Sequence, residues 1–341
     1  YILMCGTGFG FSVEQEEVAK LPEVPEIKSG RALPKVTIKD SKAGWADSVK
    51  ILMGSLYDGQ NLYFDYSEIR PEGARLHTMG GRASGPNPLI KLHDFIRETM
   101  HNAQGRKLTP LEAHDICNQI AEIVVVGGVR RSSQISLSDL DDKNMRHAKD
   151  WPYPIKRAMA NNSAIYKDKP SAAQFLKEWG SLALSGTGER GIFNLNAAQS
   201  KAPSRRYAPL IQGTNPCGEI MLRDMQFCNL SEVVVREEDD LDSLLDKVET
   251  AAWLGVIQST FTDFPYLRKE WKKNCDVERL LGVSLTGQMD NPSLMNSEAL
   301  KALKSRVLRI SRKASKVLDV NVSTATTCVK PSGTVSQLVD S

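Results

Sequence analysis

Helical segments alternate with short strand-like segments along this chain, and this alternation constrains its fold more than any other feature. Helices show apolar residues three or four positions apart, whereas buried strands are short apolar or alternating runs. Their alternation is typical of an α/β fold with a largely parallel sheet. The predicted helices span 44–57, 88–103, 109–124, 172–185, 241–260 and 297–318. The predicted strands span 62–66, 134–137, 191–194, 282–285 and 325–329.

Capping residues mark the start of two of these helices. Thr109, Pro110 and Glu112 combine a threonine cap, a proline at the first helical position and a glutamate close behind. Ser297 is the predicted cap of the last helix. These positions test whether local chemistry alone locates the ends of the elements.

The composition is that of an ordinary globular protein. The 341 residues are 41% hydrophobic and 25% charged, with a formal net charge of +3. So small a charge argues against a surface that binds nucleic acid, although basic residues can still line a phosphate pocket. No apolar run reaches the length of a membrane span, and no signal peptide begins the chain. We therefore expect a cytoplasmic protein with neither a membrane nor a nucleic-acid partner.

The cysteines are too sparse for a disulfide scaffold. There are six, and no Cys-x-x-Cys pair offers a zinc site, so no metal site is predicted. A reducing cytoplasm is the natural setting for such a chain. We interpret Cys117, Cys275 and Cys328 as small hydrophobic residues without a chemical role.

The segment 214–220, Thr-Asn-Pro-Cys-Gly-Glu-Ile, concentrates reactive groups, and Cys228 follows it. Cys217 lies between a proline and a glycine, which disfavour a helix and favour an exposed loop tip. A thiol, the carboxylate of Glu219 and the carboxamide of Asn215 suit redox radical chemistry on a polyol better than hydrolysis. Two alternatives stay open on local grounds: Glu219 as a solvated loop carboxylate, and Cys228 as a structural residue at a strand start.

Two glycine-containing turns have the composition of ligand-binding loops. In the turn 6–10, glycines let backbone N–H groups approach a ligand closely. The segment 330–336, Lys-Pro-Ser-Gly-Thr-Val-Ser, offers hydroxyl groups and backbone donors that can cradle a phosphate. It is not the Walker pattern, because no Lys-Ser/Thr pair closes it. An ordinary strand-to-helix turn is the alternative for this second segment.

Together these motifs resemble the adenosylcobalamin-dependent (class II) ribonucleotide reductases, and especially the monomeric ribonucleoside-triphosphate reductases. Segment 215–220 with 228–230 is similar to the finger loop of that family, and we call residues 214–220 the finger loop. The set of motifs is far more specific than any single one. The other matching segments are 8–12, 69–71, 80–81, 83–86, 115–118, 127–132, 161–163 and 330–335.

The resemblance implies a fold and a domain organisation. The expected architecture is a ten-stranded α/β barrel, made of two half-barrels of five parallel strands, with the finger loop through the middle. Residues 1–341 are expected to form a single catalytic barrel domain. Both ends of the sequence look cut, so we expect an internal piece of a longer protein, incomplete at both termini.

The resemblance also assigns roles. Cys217 matches the cysteine that becomes a thiyl radical and removes the 3′ hydrogen of the ribose, and Glu219 matches the general base on the 3′-hydroxyl. Asn215 matches the carboxamide that holds a substrate hydroxyl, and Cys228 matches one of two reducing cysteines. The expected substrate contacts are Thr7, Gly8, Pro216, Gly218, Pro331, Ser332, Gly333, Thr334 and Val335. The expected effector-linked loop contains Gly127, Gly128, Val129, Arg130 and Arg131.

The implied cofactor is adenosylcobalamin, and the implied partners are a ribonucleotide, a deoxynucleotide effector and a dithiol or thioredoxin-like reductant. Triphosphate substrates are preferred to diphosphates on the resemblance alone. Cys5 adjoins the glycine turn, where the family has no redox cysteine, so the partner of Cys228 is expected outside this chain. The Asp-x-His-x-x-Gly cobalamin motif does not occur, as is usual for class II enzymes. The alternatives are a catalytically inactive nucleotide-binding module and a class I large subunit that uses a separate radical-generating subunit.

Overall fold

The computed structural model describes residues 1–28, 34–76, 81–126, 133–331 and 333–341. The chain divides into two units, Tyr1–Asn196 and Ala197–Ser341. Each unit combines helices with parallel strand pairs, which confirms the predicted α/β class.

A four-stranded parallel sheet with the strand order β1-β4-β5-β6 forms the centre of the first unit. Strands β2 and β3 form a separate parallel pair. The predicted strand 134–137 is confirmed as β4, and 191–194 is confirmed as β6. The strands are β1 (Phe9–Ser12), β2 (Lys35–Thr37), β3 (Tyr63–Asp65), β4 (Gln134–Asp139), β5 (Ala160–Tyr166) and β6 (Gly191–Asn194).

The helices of the first unit pack through stripes of apolar residues. In the third helix Leu89, Leu92, Ile96 and Met100 are fully buried, at the spacing that places residues on one helical face. They share one core with Phe64 of β3 and with the second helix. The helices are α1 (Gln15–Val18), α2 (Lys42–Tyr57), α3 (Asn87–Asn102), α4 (Pro110–Val126), α5 (Lys143–Arg146), α6 (Ala172–Ser185) and α7 (Leu195–Ser200), the last of which crosses the unit boundary.

The predicted start of α4 is confirmed by its hydrogen bonds. The backbone N–H of Glu112 donates to Thr109 Oγ1 at 3.2 Å, and the backbone N–H of Thr109 donates to Glu112 Oε2 at 2.8 Å. This reciprocal pair is a capping box, which satisfies two amide groups that a helix start leaves without partners. Helix α4 ends at Val126, directly before the predicted effector loop, and residues 127–132 of that loop lie outside the described residues.

The second unit is built on the parallel pair of β9 and β10, with α8 and α10 packed over one apolar face. A small antiparallel pair, β7 and β8, carries the finger loop. The strands are β7 (Gly213–Thr214), β8 (Met221–Leu222), β9 (Asn229–Val234) and β10 (Leu281–Thr286). The helices are α8 (Leu241–Gln258), α9 (Lys269–Glu278), α10 (Ser297–Val317) and α11 (Thr334–Leu338).

Two local predictions in this unit need correction. The cap of α10 is Asn296, whose side chain accepts from the N–H groups of Glu298 and Ala299, and Ser297 is the first helical residue. Both residue types cap helices well, so composition could not separate them. The segment 325–329 forms only an isolated parallel bridge, Val283 to Thr327, rather than a full strand.

The described strands establish parallel pairing but not a closed barrel. Four of them form one sheet, and the other six form three pairs. The ten-stranded barrel and the single domain therefore stay predictions. Within the described ranges, no helix is both long and apolar enough to cross a membrane.

Candidate active site

The finger loop is the tip of a short hairpin. Thr214 pairs with Met221 across β7 and β8, and the Thr214 hydroxyl donates to the carbonyl oxygen of Ile220 at 3.0 Å. The side chain of Asn215 closes the loop, because its Oδ1 accepts from the backbone N–H of Ile220 at 3.0 Å. Asparagine commonly bonds to nearby backbone in this way. Asn215 is therefore an internal support of the loop as well as a candidate ligand-binding group.

Cys217 is exposed at the tip of this hairpin, as its neighbours predicted. Pro216 before it is buried, and Gly218 after it has φ +84°, a left-handed conformation that favours glycine. The N–H of Gly218 donates to the carbonyl oxygen of Asn215 at 3.0 Å. The tight turn therefore presents the thiol outward while the flanking residues hold its position.

Glu219 is not a freely solvated carboxylate. Its Oε2 is buried and has no hydrogen-bond partner among the residues that the structure describes. A buried acceptor without a donor is uncommon in native proteins and requires an explanation, such as an absent ligand or water. The geometry thus favours the functional interpretation of Glu219 over the solvated alternative.

Cys228 directly precedes β9 and is electrostatically coupled to the finger loop. Burial raises the pKa of Cys228 to about 12, and the nearby charges of Glu219 and Cys328 add to that rise. Because the thiolate is disfavoured so strongly, Cys228 is a neutral thiol near pH 7. A neutral thiol retains the hydrogen that a reductant must supply.

Cys328 is a neighbour of this site that the sequence interpretation left without a role. The pKa of Cys328 is raised to about 12 by burial first and then by the charges of Glu219 and Glu232, although the charge of Lys330 and a hydrogen bond with Ser284 oppose the rise. The pKa of Cys228 responds to both Cys328 and Cys275, so two other cysteines lie near it. No periodic pattern in the sequence predicts that these distant positions meet.

Cys328 is not placed to form a disulfide with Cys228. Strand β10 lies between them, because Val283 pairs with Ser231 of β9 on one side and with Thr327 on the other. Two strand spacings of about 4.8 Å exceed the roughly 7 Å limit between Cα atoms of a disulfide. The predicted partner of Cys228 is therefore not replaced by Cys328.

A glycine allows the finger loop to pack on the strand pair. A Cβ atom built on Gly282 of β10 would lie 2.4 Å from Leu230 Cδ2, 2.9 Å from Cys328 Sγ and 3.0 Å from Ile220 Cδ1. All three distances are shorter than ordinary contacts, so a side chain does not fit without displacing its neighbours. Gly282 therefore determines how closely Ile220, next to Glu219, approaches β9 and β10.

A buried charged cluster holds the segment between the two reactive cysteines. Arg206 donates to the carbonyl oxygen of Met221 at 2.8 Å and to Glu278 Oε2 at 3.0 Å. Gln226 donates to the same Glu278 oxygen at 2.6 Å and accepts from the backbone N–H of Arg223 at 3.1 Å. Since Met221, Arg223 and Gln226 all lie between Cys217 and Cys228, this cluster fixes the path from one thiol to the other.

The predicted phosphate loop lies in the same unit. Pro331 is described, Ser332 lies outside the described residues, and Gly333 has φ +55° and ψ −121°, a conformation open essentially to glycine. Thr334 and Val335 begin α11. The structure thus shows a glycine-specific backbone conformation before a short helix, and phosphate binding by this segment stays a prediction.

The remaining predicted contacts belong to the first unit. Thr7 and Gly8 lie in the turn between a short 3₁₀ segment, Leu3–Cys5, and β1. Cys5 is exposed and free. The loop Gly127–Arg131 falls in the range 127–132, which is outside the described part of the chain.

Comparisons with known proteins agree with these features. A family model for the insertion domain of B12-dependent ribonucleotide reductase matches residues 26–100, which contain α2, β2, β3 and all but the last two residues of α3. An adenosylcobalamin-dependent ribonucleoside-triphosphate reductase of Lactobacillus delbrueckii subsp. bulgaricus is 30% identical, over 98% of this chain and 54% of that protein. A reductase of the same name from Lactobacillus leichmannii is 29% identical over the same shares of both chains.

Solved structures give the same result. A crystal structure of a B12-dependent (class II) ribonucleotide reductase matches with a TM-score of 0.82 and 27% identity, over 98% of this chain and 55% of that chain. The alpha subunit of the Actinobacillus ureae class Id reductase matches with a TM-score of 0.52 at 16% identity, which is a likeness of fold alone. Over nearly its whole length, the chain is similar to the adenosylcobalamin-dependent (class II) ribonucleotide reductases. It spans about half, 54%, of the length of the curated relatives.

Proposed function

We propose that this chain carries the catalytic core of a reductase that converts ribonucleoside triphosphates to 2′-deoxyribonucleotides. The observation that carries the proposal is the buried Glu219 Oε2, which lacks a partner among the described residues and lies near the neutral thiol of Cys228. A ribose hydroxyl supplies the donor that this oxygen needs. The same loop exposes Cys217, so a base, a reductant and a radical carrier occupy one hairpin and the strand after it.

In the proposed reaction the Cys217 thiyl radical removes the 3′ hydrogen, and Glu219 accepts the proton of the 3′-hydroxyl. The 2′-hydroxyl then leaves as water. Cys228 and a second cysteine, predicted outside these residues, supply two electrons and end as a disulfide. One ribonucleotide and two thiols thus give one deoxyribonucleotide, one water and one disulfide, after which Cys217 recovers its hydrogen.

The proposed role of the Asn215 carboxamide is narrower than the one that the sequence motif implied. Its Oδ1 accepts from Ile220 within the loop, so its amide nitrogen is the group that donates to a substrate hydroxyl. This division lets one side chain support the loop and orient the substrate at the same time.

The residues present fit adenosylcobalamin as the radical source. Cys217 is exposed at the tip of the hairpin, so its thiol is accessible to a group that approaches from outside the loop. The bound cofactor supplies a radical when its cobalt–carbon bond breaks. The task of this chain is then to hold the Cys217 thiol in position and to retain the Cys228 hydrogen for the substrate.

The finer features belong to the same proposal. The complete fold would be a ten-stranded barrel around the finger loop, in a cytoplasmic enzyme. Thr7, Gly8, Pro216 and Gly218 would contact the substrate, and residues 331–335 would bind its phosphates through backbone donors. Residues 127–131 would respond to a deoxynucleotide effector, and a dithiol or thioredoxin-like reductant would reduce the disulfide.

The test uses the full-length protein with adenosylcobalamin, a ribonucleoside triphosphate and a dithiol. Deoxyribonucleotide should form, and Cys217→Ser should abolish it. Cys117→Ser is a matched control, because burial raises the pKa of Cys117 to about 12 and Cys117 lies in the other unit. Full activity in Cys217→Ser would refute the proposal, and activity without cobalamin would indicate a separate radical-generating subunit instead.

A further inference from the structure

Strand β9 and the residues that directly follow it contact the chain on both sides of the predicted phosphate loop. Before the loop, the Lys330 ammonium donates to Glu232 Oε2 of β9 at 3.1 Å, and the Lys330 backbone N–H donates to Ser284 Oγ of β10 at 3.0 Å. The Lys330 and Glu232 side chains are only 23% and 15% exposed. Lys330 is thus fixed by hydrogen bonds from both its backbone N–H and its ammonium group.

After the loop, Arg236 makes the second contact. Its guanidinium donates to the carbonyl oxygen of Asp340 at 2.6 Å and to that of Val339. Arg236 follows the end of β9 by two residues and is itself held, since its N–H donates to Asp239 Oδ2 at 2.8 Å. The segment that contains α11 is therefore bonded to β9 at one end and to Arg236, just after β9, at the other.

The same strand begins directly after Cys228. Side chains alternate along a strand, so Glu232 shares the face of Leu230, which lies against Gly282 and the finger loop. Glu232 and Glu219 both raise the pKa of the Cys328 thiol, which indicates that the two carboxylates share one region. The short stretch from Cys228 through β9 to Arg236 thus connects the proposed reducing cysteine to both anchors of the loop.

In the Lys330–Glu232 ion pair, each charge compensates the poor solvation of the other. Glu232 Oε1 is buried with no hydrogen-bond partner among the residues described, so Lys330 is the cation bonded to a poorly solvated carboxylate. Removing one partner of such a pair leaves an uncompensated charge, whereas removing both avoids that cost. This difference allows a structural effect to be separated from a positioning effect.

We propose that Glu232, Lys330 and Arg236 are positioning residues that set where the substrate phosphates lie relative to Cys228 and Glu219. This inference rests on the proposed function, in which residues 331–335 bind phosphate. The residues do not touch the reacting atoms; they fix the two ends of the loop on β9. Their loss should weaken nucleotide binding more than it slows the chemical steps.

The test measures KM, kcat and nucleotide affinity in the full-length protein. The variants are Lys330→Met, Arg236→Met, the double variant Glu232→Gln with Lys330→Met, and the conservative Lys330→Arg. Equilibrium dialysis with a ribonucleoside triphosphate measures the Kd independently of turnover. Arg306→Met is the matched control, because Arg306 and Glu249 form a 3.0 Å pair of similar exposure between α10 and α8.

We expect KM and Kd to rise about tenfold in Lys330→Met and in the double variant, with kcat changed less than about threefold. Lys330→Arg should restore both values, and Arg306→Met should leave them unchanged. An unchanged Kd in the double variant would overturn the inference. A Kd that rises in Lys330→Met but returns to the unsubstituted value in the double variant, together with the free energy of unfolding, would also overturn it. If neither the unsubstituted protein nor any variant forms deoxyribonucleotide, the proposed function fails. The Kd from equilibrium dialysis still shows whether Lys330 and Arg236 affect nucleotide binding.

Discussion

Replacing Gly282 with alanine tests the packing beneath the finger loop directly. The added methyl group would meet Leu230 Cδ2 at 2.4 Å, Cys328 Sγ at 2.9 Å and Ile220 Cδ1 at 3.0 Å. Each of these atoms is the end of a side chain rather than backbone. The strain can therefore be relieved by side-chain movement, and Ile220 is the neighbour whose movement disturbs Glu219.

The expected loss of stability is moderate, and the expected loss of activity is larger. Overpacking usually costs about 1 to 3 kcal/mol, and three movable neighbours place this case near about 1 to 2 kcal/mol. Urea unfolding of the variant should show this loss. A shift of a catalytic carboxylate by about 1 Å can cost about 100-fold in rate, so kcat should fall by about tenfold or more.

Gly54→Ala is the matched control. Gly54 lies in α2, its built Cβ meets nothing within 4 Å, and alanine favours helix more than glycine does. It should raise stability by about 0.5 to 1 kcal/mol without affecting kcat. Adding Leu230→Ala to Gly282→Ala removes the closest contact and should recover part of kcat. A Gly282→Ala variant with unchanged stability and unchanged kcat would refute the proposed packing.

Three further predictions concern charge. Glu278→Ala should cost about 3 to 5 kcal/mol in urea unfolding, because it leaves buried Arg206 without its carboxylate, and a cost under about 1 kcal/mol would contradict this. Glu219→Gln should lower the pKa of Cys228, because burial and then the Glu219 charge raise that pKa to about 12. Alkylation of Cys228 at pH 9, measured by peptide mass spectrometry, should then be faster in the variant, and an unchanged alkylation rate would contradict this prediction. Burial and, second, the charge of Arg97 lower the pKa of His93 to about 3, so its folded-state pKa lies below the unfolded value of 6.5. The contribution of His93 to the free energy of unfolding is therefore complete above about pH 6.5 and is lost as pH falls toward 3, by at most about 1.4 kcal/mol per pH unit. In urea unfolding measured across this pH range, His93→Gln should show a weaker pH dependence.

The sequence was sufficient for features that depend on neighbouring residues. Apolar periodicity predicted the helices, and the capping box at Thr109 and Glu112 is confirmed because its atoms are three residues apart. The exposed tip at Cys217 likewise follows from the proline and glycine beside it. In each case the residues that determine the structure lie within a few positions of one another, so a local sequence pattern is enough to predict it.

The sequence was insufficient where distant segments meet. Arg206 and Glu278 are separated by 72 positions, and Lys330 and Glu232 by 98, so no local pattern signals either pair. Gly282 looked like an ordinary strand residue, because its need for glycine comes from side chains on three other segments. The same holds for Cys328, whose local sequence favours a structural residue and whose neighbours are Glu219 and Ser284.

The arrangement of the second unit suggests why its reactive groups can work together. Cys228 directly precedes β9, Glu232 lies within it and Arg236 follows it, so one short stretch of chain links the proposed reductant to the anchors of the proposed phosphate loop. The finger loop packs against the neighbouring strand β10 at Gly282, and this contact does not include Lys330 or Arg236. The two supports should therefore be separable by kinetics. Loss of the β9 anchors should act mainly on KM, and loss of the Gly282 contact should act mainly on kcat, because the anchors are proposed to position the substrate and the Gly282 contact to position Glu219, the proposed base.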